Sequence, residues 1–136
     1  MIQTISEKFK NAMPSDLRAL LRSRTIYTYN SGGGTNNSSN ITATTDTVYI
    51  PSEFEVEGAR TYANSYEQNH QQQLAYYKNG ASKRRYKSNN VSTGAWWWCR
   101  SPYYGTHYDF CFVAPKGDTQ SYNARYACGF APLITI

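Results

Sequence analysis

The residues that could do chemistry are few and poorly grouped. His107 and Cys111 stand close in the chain, and a cysteine beside a histidine can form a thiolate pair that acts as a nucleophile. The stretch offers no third residue to orient the imidazole, so a small buried thiol is the better reading. The carboxylates Asp46, Glu53, Glu55, Glu57 and Glu67 fall mid-chain and Asp109 and Asp118 fall late, none at the spacing of a general acid and its base. Glu53 and Glu55 would share a face on a strand but diverge on the short helix favoured here. Cys99, Cys111 and Cys128 form no CxxC or Cys/His pattern, and His70 and His107 lie far apart. No metal, no cofactor and no catalytic residue is therefore expected. A disulfide between two of the three cysteines is possible but is not specified by their spacing.

One basic run, Lys83-Arg84-Arg85-Tyr86-Lys87, could grip phosphates while its tyrosine stacks a base. So short a run reads better as a solvated loop or strand edge. No helix-long basic face or nucleic-acid motif accompanies it, and no nucleic-acid partner is expected. The glycine-rich loop Asn30 to Asn40 lacks the Lys-Ser/Thr ending of a phosphate cradle and reads as a flexible surface excursion.

Composition fits either a binding surface or a β-rich, loop-rich scaffold. The 136 residues include 13 Tyr and 3 Trp and carry a net charge of +5. Tyr, Ser, Gly and Asn dominate antibody binding loops, because Tyr supplies amphipathic contact area at low entropy cost. A β-rich, loop-rich domain would favour the same residues. No apolar run is long enough to span a membrane, and the first residues lack the pattern of a secretory signal. Neither membrane insertion nor signal-directed secretion is expected.

The elements that must position these residues read as α+β in a single domain, 1–136. Apolar spacing predicts a helix from Ser6 that Pro14 breaks, then a second helix capped by Ser15 and running to Leu21 or Arg22. Strands are expected over Thr25–Tyr29 and Thr45–Ile50. Ser52 and Glu55 have the spacing of a capping box. A helix over Tyr66–Tyr77 would carry Tyr66, His70, Leu74 and Tyr77 on one side. Asn79-Gly80 and Asn89-Asn90 mark turns. Strand-like pieces follow at Gly94–Arg100, Phe110–Val113, Tyr122–Tyr126 and Leu133–Ile136, separated by turns. Helices thus come early and an antiparallel sheet late.

Four segments in order carry a resemblance. They are Ile50-Pro51-Ser52-Glu53-Phe54-Glu55-Val56-Glu57-Gly58, Gln73-Leu74-Ala75-Tyr76-Tyr77, Trp97-Trp98-Cys99-Arg100-Ser101-Pro102 and Gly129-Phe130-Ala131-Pro132. From Val48 to the C-terminus the chain resembles phage and gut-bacterial proteins with a C-type lectin-like fold, close to the variable proteins of diversity-generating retroelements. The WWxRSP and closing GxxP segments are the specific part.

What the resemblance implies is a ligand-binding protein without enzyme activity, with a variable region at about 96–132. In such proteins retroelement mutagenesis rewrites adenines, and Asn codons so altered never encode Lys, Glu, Gln, Met or Trp. Of these types the stretch Tyr103 to Cys128 holds only Lys116 and Gln120. By the same resemblance Trp97, Trp98, Arg100, Pro102, Gly129 and Pro132 are scaffold. The displayed residues are Tyr103, Tyr104, Thr106, His107, Tyr108, Asp109, Phe112, Tyr122, Asn123, Arg125 and Tyr126. Tyr108 and Phe112 have core positions as their alternative. Phe110, Cys111, Val113, Gly117 and Ala124 are expected to be fixed sheet residues. Cys99, Gly105, Ala114 and Cys128 are candidate changeable positions, and Trp96 is undecided.

The expected partner is a protein or other surface ligand on a host or target cell, met from a virion surface or another outward-facing surface. A homo-oligomer would fit, a trimer at a virion tip. The alternative is a non-diversified structural tail or fibre domain of the same fold. Calcium-lectin motifs (Glu-Pro-Asn, Gln-Pro-Asp, Trp-Asn-Asp) are absent, so calcium-mediated sugar binding is not implied. Formylglycine-generating oxidases share the broader fold, but their paired reactive cysteines have no counterpart here.

Overall fold

The early apolar spacing forms helix α1, Ile2–Ala12, and Pro14 ends it. The computed structural model describes residues 2–34 and 37–136. Helix α2, Ser15–Ala19, begins with Ser15 already helical and Pro14 at the cap, with φ −52° and ψ 144°. The expected Ser15 cap is thus displaced by one residue, because proline's fixed φ suits that boundary. The helix stops short of Leu21.

Strand β1, Arg24–Tyr29, runs antiparallel to β2, Ile41–Asp46, in register from Arg24↔Asp46 to Tyr29↔Ile41. The pair closes the glycine-rich loop at its base; Thr35 and Asn36 of that loop lie outside the described residues. The strand expected over Thr45–Ile50 is divided at Thr47. Its second half is β3, Val48–Tyr49, which pairs with β10, Leu133–Ile134, so the last residues pack against the middle of the chain.

Helix α3, Glu53–Glu57, has both arms of its capping box. The Ser52 hydroxyl accepts from the Glu55 amide at 3.1 Å, and the Glu55 carboxylate accepts from the Ser52 amide at 3.0 Å. Gly58 ends the helix at φ +73°, a left-handed cap that other side chains rarely adopt.

The single helix expected over Tyr66–Tyr77 is two short ones, α4, Ser65–Gln68, and α5, Ala75–Lys78. Sideways hydrogen bonds outweigh helical continuation between them. The Leu74 amide donates to Glu55 O at 2.9 Å, and Gln71 Nε2 donates to Tyr27 O and Glu67 Oε1, each at 3.1 Å. Tyr66, His70, Leu74 and Tyr77 therefore share no helical face; His70 instead stacks on Tyr27 at 4.7 Å.

Strands β4, Arg85–Lys87, and β5, Asn90–Ala95, form a hairpin. The strand expected over Gly94–Arg100 is interrupted at Trp96. Its second part is β6, Trp97–Pro102, followed by β7, Asp109–Val113, β8, Thr119–Asn123, and β9, Gly129–Phe130. These four make one sheet in the order β8-β7-β6-β9, antiparallel except for the parallel β6–β9 pair. The strand expected to reach Tyr126 ends at Asn123, where the Tyr126 amide closes a turn on Asn123 O. The architecture is mixed α+β, mostly strands with a few short helices. Among the described residues no helix is long and apolar enough to cross a membrane.

The sheet has two unlike faces. Its inner face sends Trp97, Cys99, Cys111 and Val113 into a core completed by Val56, Ala63 and Tyr77. Its outer face holds a smaller cluster of Trp98, Phe112 and Ala114, with Cys128 against it.

Candidate functional site

Strand alternation builds the outer face. Register sets Phe110 opposite Tyr122, Phe112 opposite both Gln120 and Trp98, and Trp98 opposite Phe130, so these side chains share one side. Phe112 is the joint. Its ring lies 5.1 Å from Trp96, 6.0 Å from Trp98 and 6.1 Å from Tyr122, the last two edge-on, and Tyr122 stacks on Tyr126 at 4.4 Å. The Arg125 guanidinium caps the row, 5.1 Å from the Tyr126 ring centroid. The Tyr122 phenol is held above its usual pKa, first by its hydrogen bond with Tyr126 and next by the charge that ring would carry.

Most of this row is open to solvent. Trp96 is 47 % exposed, Tyr122 45 %, Tyr126 42 % and Phe130 41 %, an aromatic surface larger than scattered single rings would give. A cavity of about 320 Å³ opens among Ile50, Trp98, Phe110, Ala124 and Phe130, with Cys99 and Arg100 at its floor.

The β6–β7 loop extends the surface. Tyr108 is the most exposed tyrosine of the loop, and its carbonyl accepts from the Ala124 amide at 2.9 Å, which joins the loop to the β8–β9 turn. Tyr103 is half-buried between Tyr62 and Tyr104, and Tyr104 is exposed with Arg60 5.9 Å from its ring. The glycine-rich loop grips the other side. The Gly34 amide donates to Tyr104 O, and a Cβ on Gly32 would collide with Thr106 O. The His107 ring lies against Gly33. Of the residues expected on display, those other than Phe112 lie along the β6–β7 loop, the start of β7, the edge strand β8 and the turn after it, with Asp109 and Asn123 paired in register. Asn123 is partly committed, because its side chain accepts from the Arg125 amide at 3.1 Å.

Several expectations need correction. Phe112, expected on display, is 1 % exposed, because Trp96, Trp98 and Tyr122 surround it. Cys99, a candidate changeable position, packs in the inner core, and Ala114 is buried in the outer cluster. Phe110 and Ala124, expected as fixed sheet residues, are exposed and line the apolar cavity. Trp96 resolves as an outer-face ring. Phe130, placed within the closing segment, is also an exposed member of the row. The missed signal is phase: Phe110 and Phe112 lie two apart on one strand, so both point to the Tyr122 side. Cys111 is fully buried and His107 sits on the exposed loop, so they make no thiolate pair. Burial pushes the Cys99 and Cys111 thiols well above their usual pKa.

Beneath the face lies a buried polar network. Arg100 donates to the Glu55 carboxylate at 2.5 Å, to Ile50 O at 2.8 Å and to Tyr27 O at 3.1 Å. Glu53 accepts from the amides of Thr61, Tyr62 and Ala63. Its own amide donates to Ser101 Oγ at 3.0 Å, and that hydroxyl donates to Glu67 Oε1 at 3.0 Å. Burial raises the Glu67 pKa to about 7 against the opposing pull of Arg100. The network fastens β6 to β1, α3 and α4. Trp97 and Trp98 are buried with Arg100 and Pro102; Gly129 bonds its amide to Trp96 O at 2.7 Å, and Pro132 is half-buried. Among the described residues no cluster of His, Cys, Asp and Glu could hold a metal.

Fold and face together define a small α+β domain whose central sheet is locked on one side and presents rings on the other. The chain belongs to the family described as Domain of unknown function (DUF6273), whose model matches residues 3–136. No curated protein and no solved structure matches it.

Proposed function

We propose that this chain is a ligand-binding protein that displays an aromatic-rich surface on a C-type lectin-like scaffold, of the kind diversified by retroelements, for host or target recognition by a virus. One observation carries the reading: the outer face of the sheet is aromatic, with Trp96, Tyr122, Tyr126 and Phe130 exposed around the buried Phe112 and Trp98, while its strand β6 is anchored by Arg100 and Glu55. Stability residing in the inner face lets the exposed positions change at little cost, since surface substitutions stay within about half a kcal/mol. Rings already held by their neighbours lose little freedom on binding, and Tyr, Trp and Arg are the residues that anchor interfaces. The binding residues are Tyr104, Tyr108, Tyr122, Arg125 and Tyr126, with Trp96, Phe110 and Phe130 added.

Sequencing the gene's surroundings tests the diversification. A reverse transcriptase and a near-identical repeat differing at adenines support it; their absence leaves a binding module of fixed sequence. Replacing Tyr104, Tyr108 and Tyr126 together by Ala tests the face. Binding of the cognate surface should be lost while the melting temperature falls only slightly. A collapse of stability would make those rings structural and overturn the assignment.

A further inference from the structure

A second cavity adjoins the aromatic row. It has a volume of about 600 Å³ and lies between the β4–β5 hairpin and the segment leading into β9, walled by Tyr86, Lys87, Trp96 and Phe130, with Arg85 and Trp97 behind. Phe130 is also a wall of the apolar 320 Å³ cavity, so the two adjoin through one residue. Their chemistry differs. The smaller is lined by Ile50, Trp98, Phe110 and Ala124 and suits a single large apolar side chain. The larger is basic, and no carboxylate lines it.

The positive charge there is uncompensated. Lys83 of the basic run is paired with Glu57, but among the described residues no carboxylate pairs with Arg84, Arg85 or Lys87. Arg85 is also held in place: it donates to Ser82 O at 2.8 Å and to the Tyr77 hydroxyl at 3.0 Å, with the Trp97 ring 5.6 Å away. Arg85 is thus a half-buried, fixed charge at the cavity wall, and Lys87 is the exposed cation beside it; without a counter-ion the two favour an anionic group.

We infer that the ligand of this face is an acidic protein segment with one large apolar side chain. The apolar residue seats between Trp98, Phe110 and Phe130, and the carboxylates lie along Arg85 and Lys87. This deepens the reading of the outer face as a binding face and rests on it. A polyanion alone, glycan or nucleic acid, matches the basic groove but leaves the aliphatic walls of Ile50 and Ala124 unused. The pairing of an apolar cavity with a basic groove across one phenylalanine favours the amphipathic segment.

The test is titration of the whole chain, followed by amide and indole NMR signals, with synthetic peptides. One peptide carries Asp and Glu around a central Phe, one replaces the acids by Lys, and one replaces the Phe by Gly. A heparin oligosaccharide and an oligothymidine serve as the polyanion arms. The acidic Phe peptide should shift the Trp96 and Trp98 indoles and the amides of 85–89 and 127–130. It should bind about tenfold tighter than either altered peptide, with the advantage over the Lys peptide lost in Lys87→Glu. Signal dispersion reports that the variant is folded. Equal binding of the Lys peptide, or shifts from the polyanions alone, or no peptide shifts at all, would overturn the inference. Shifts confined to Tyr108 and Tyr126 under any probe would also overturn it while leaving the binding face intact.

Discussion

Replacing Glu67 by Gln should stabilise the protein at alkaline pH and change little in mild acid. Glu67 is almost fully buried; its Oε1 accepts from Ser101 and Gln71, and its Oε2 has no partner. A glutamine oxygen can accept the same two bonds, so the substitution removes the charge and keeps the contacts. The unfolded chain releases the Glu67 proton near 4.5 and the folded chain near 7, because burial penalises the carboxylate more than Arg100 helps it. Between those values the folded state holds the extra proton. Stability from this site is therefore fully present below about pH 4.5 and is lost as pH rises through 7. The rise from 4.5 to about 7, at about 1.4 kcal/mol for each tenfold change in proton affinity, corresponds to roughly 3 kcal/mol. For a chain of this length that is a shift of about 10 °C in melting temperature. Thermal unfolding of both proteins from about pH 4.5 to about pH 8.5 should show curves that separate as pH rises, with the Glu67→Gln variant above wild type. Parallel curves, with a constant difference at every pH, would refute the reasoning and make Glu67 a purely geometric member of the network.

Phe112→Ala should cost about 3–5 kcal/mol in urea unfolding, as a large buried ring does, whereas Tyr108→Ala should cost under about 1 kcal/mol; similar losses would break the division between joint and display. Gly32→Ala should lower stability by about 1–3 kcal/mol, because the new Cβ would collide with Thr106 O and stand 2.8 Å from Tyr103 O; an unchanged midpoint would mean that the loop shifts freely. In the native protein an aromatic disulfide reagent should titrate only Cys128 quickly, since Cys99 and Cys111 are buried with raised pKa values, and all three should react in denaturant.

Local signals in the chain survive where local physics decides. The Ser52–Glu55 capping box, the Pro14 break and the pairing strand at Thr25–Tyr29 depend on a few neighbouring residues, and all are present. Arg100 is readable as a charge-assisted anchor because an arginine inside an aromatic strand needs partners, although Glu55, Ile50 O and Tyr27 O are named only by the fold. The expected helix over Tyr66–Tyr77 fails for a non-local reason, since its middle bonds sideways to Glu55 O and Tyr27 O. The outer aromatic face is half legible. Tyr108, Tyr122 and Tyr126, expected on display from the resemblance, are exposed. Phe110 and Phe112 read in the wrong sense: their two-residue spacing sets both on one face, but which of them is exposed depends on the rings that pack over it, and Trp96, Trp98 and Tyr122 cover Phe112 while Phe110 stays open.

The three consecutive tryptophans show how the two faces are coupled. Trp97 enters the inner core and donates its indole N–H to Lys83 O at 3.0 Å. Trp98 points the opposite way into the outer cluster, as alternation requires. Trp96 precedes the strand, so its carbonyl ties down Gly129 while its ring stays on the surface against Phe112. Variation at Tyr108 meets mainly solvent, and variation at Tyr126 meets the Tyr122 ring and the Arg125 guanidinium. Variation at Tyr122 reaches Phe112, and through it Trp96 and Trp98, whose strand is pinned to Glu55 by Arg100. Tolerance to change should therefore fall along the row from Tyr126 towards Phe112, so that the outer rings can be rewritten independently while the inner ones change only together with their packing partners.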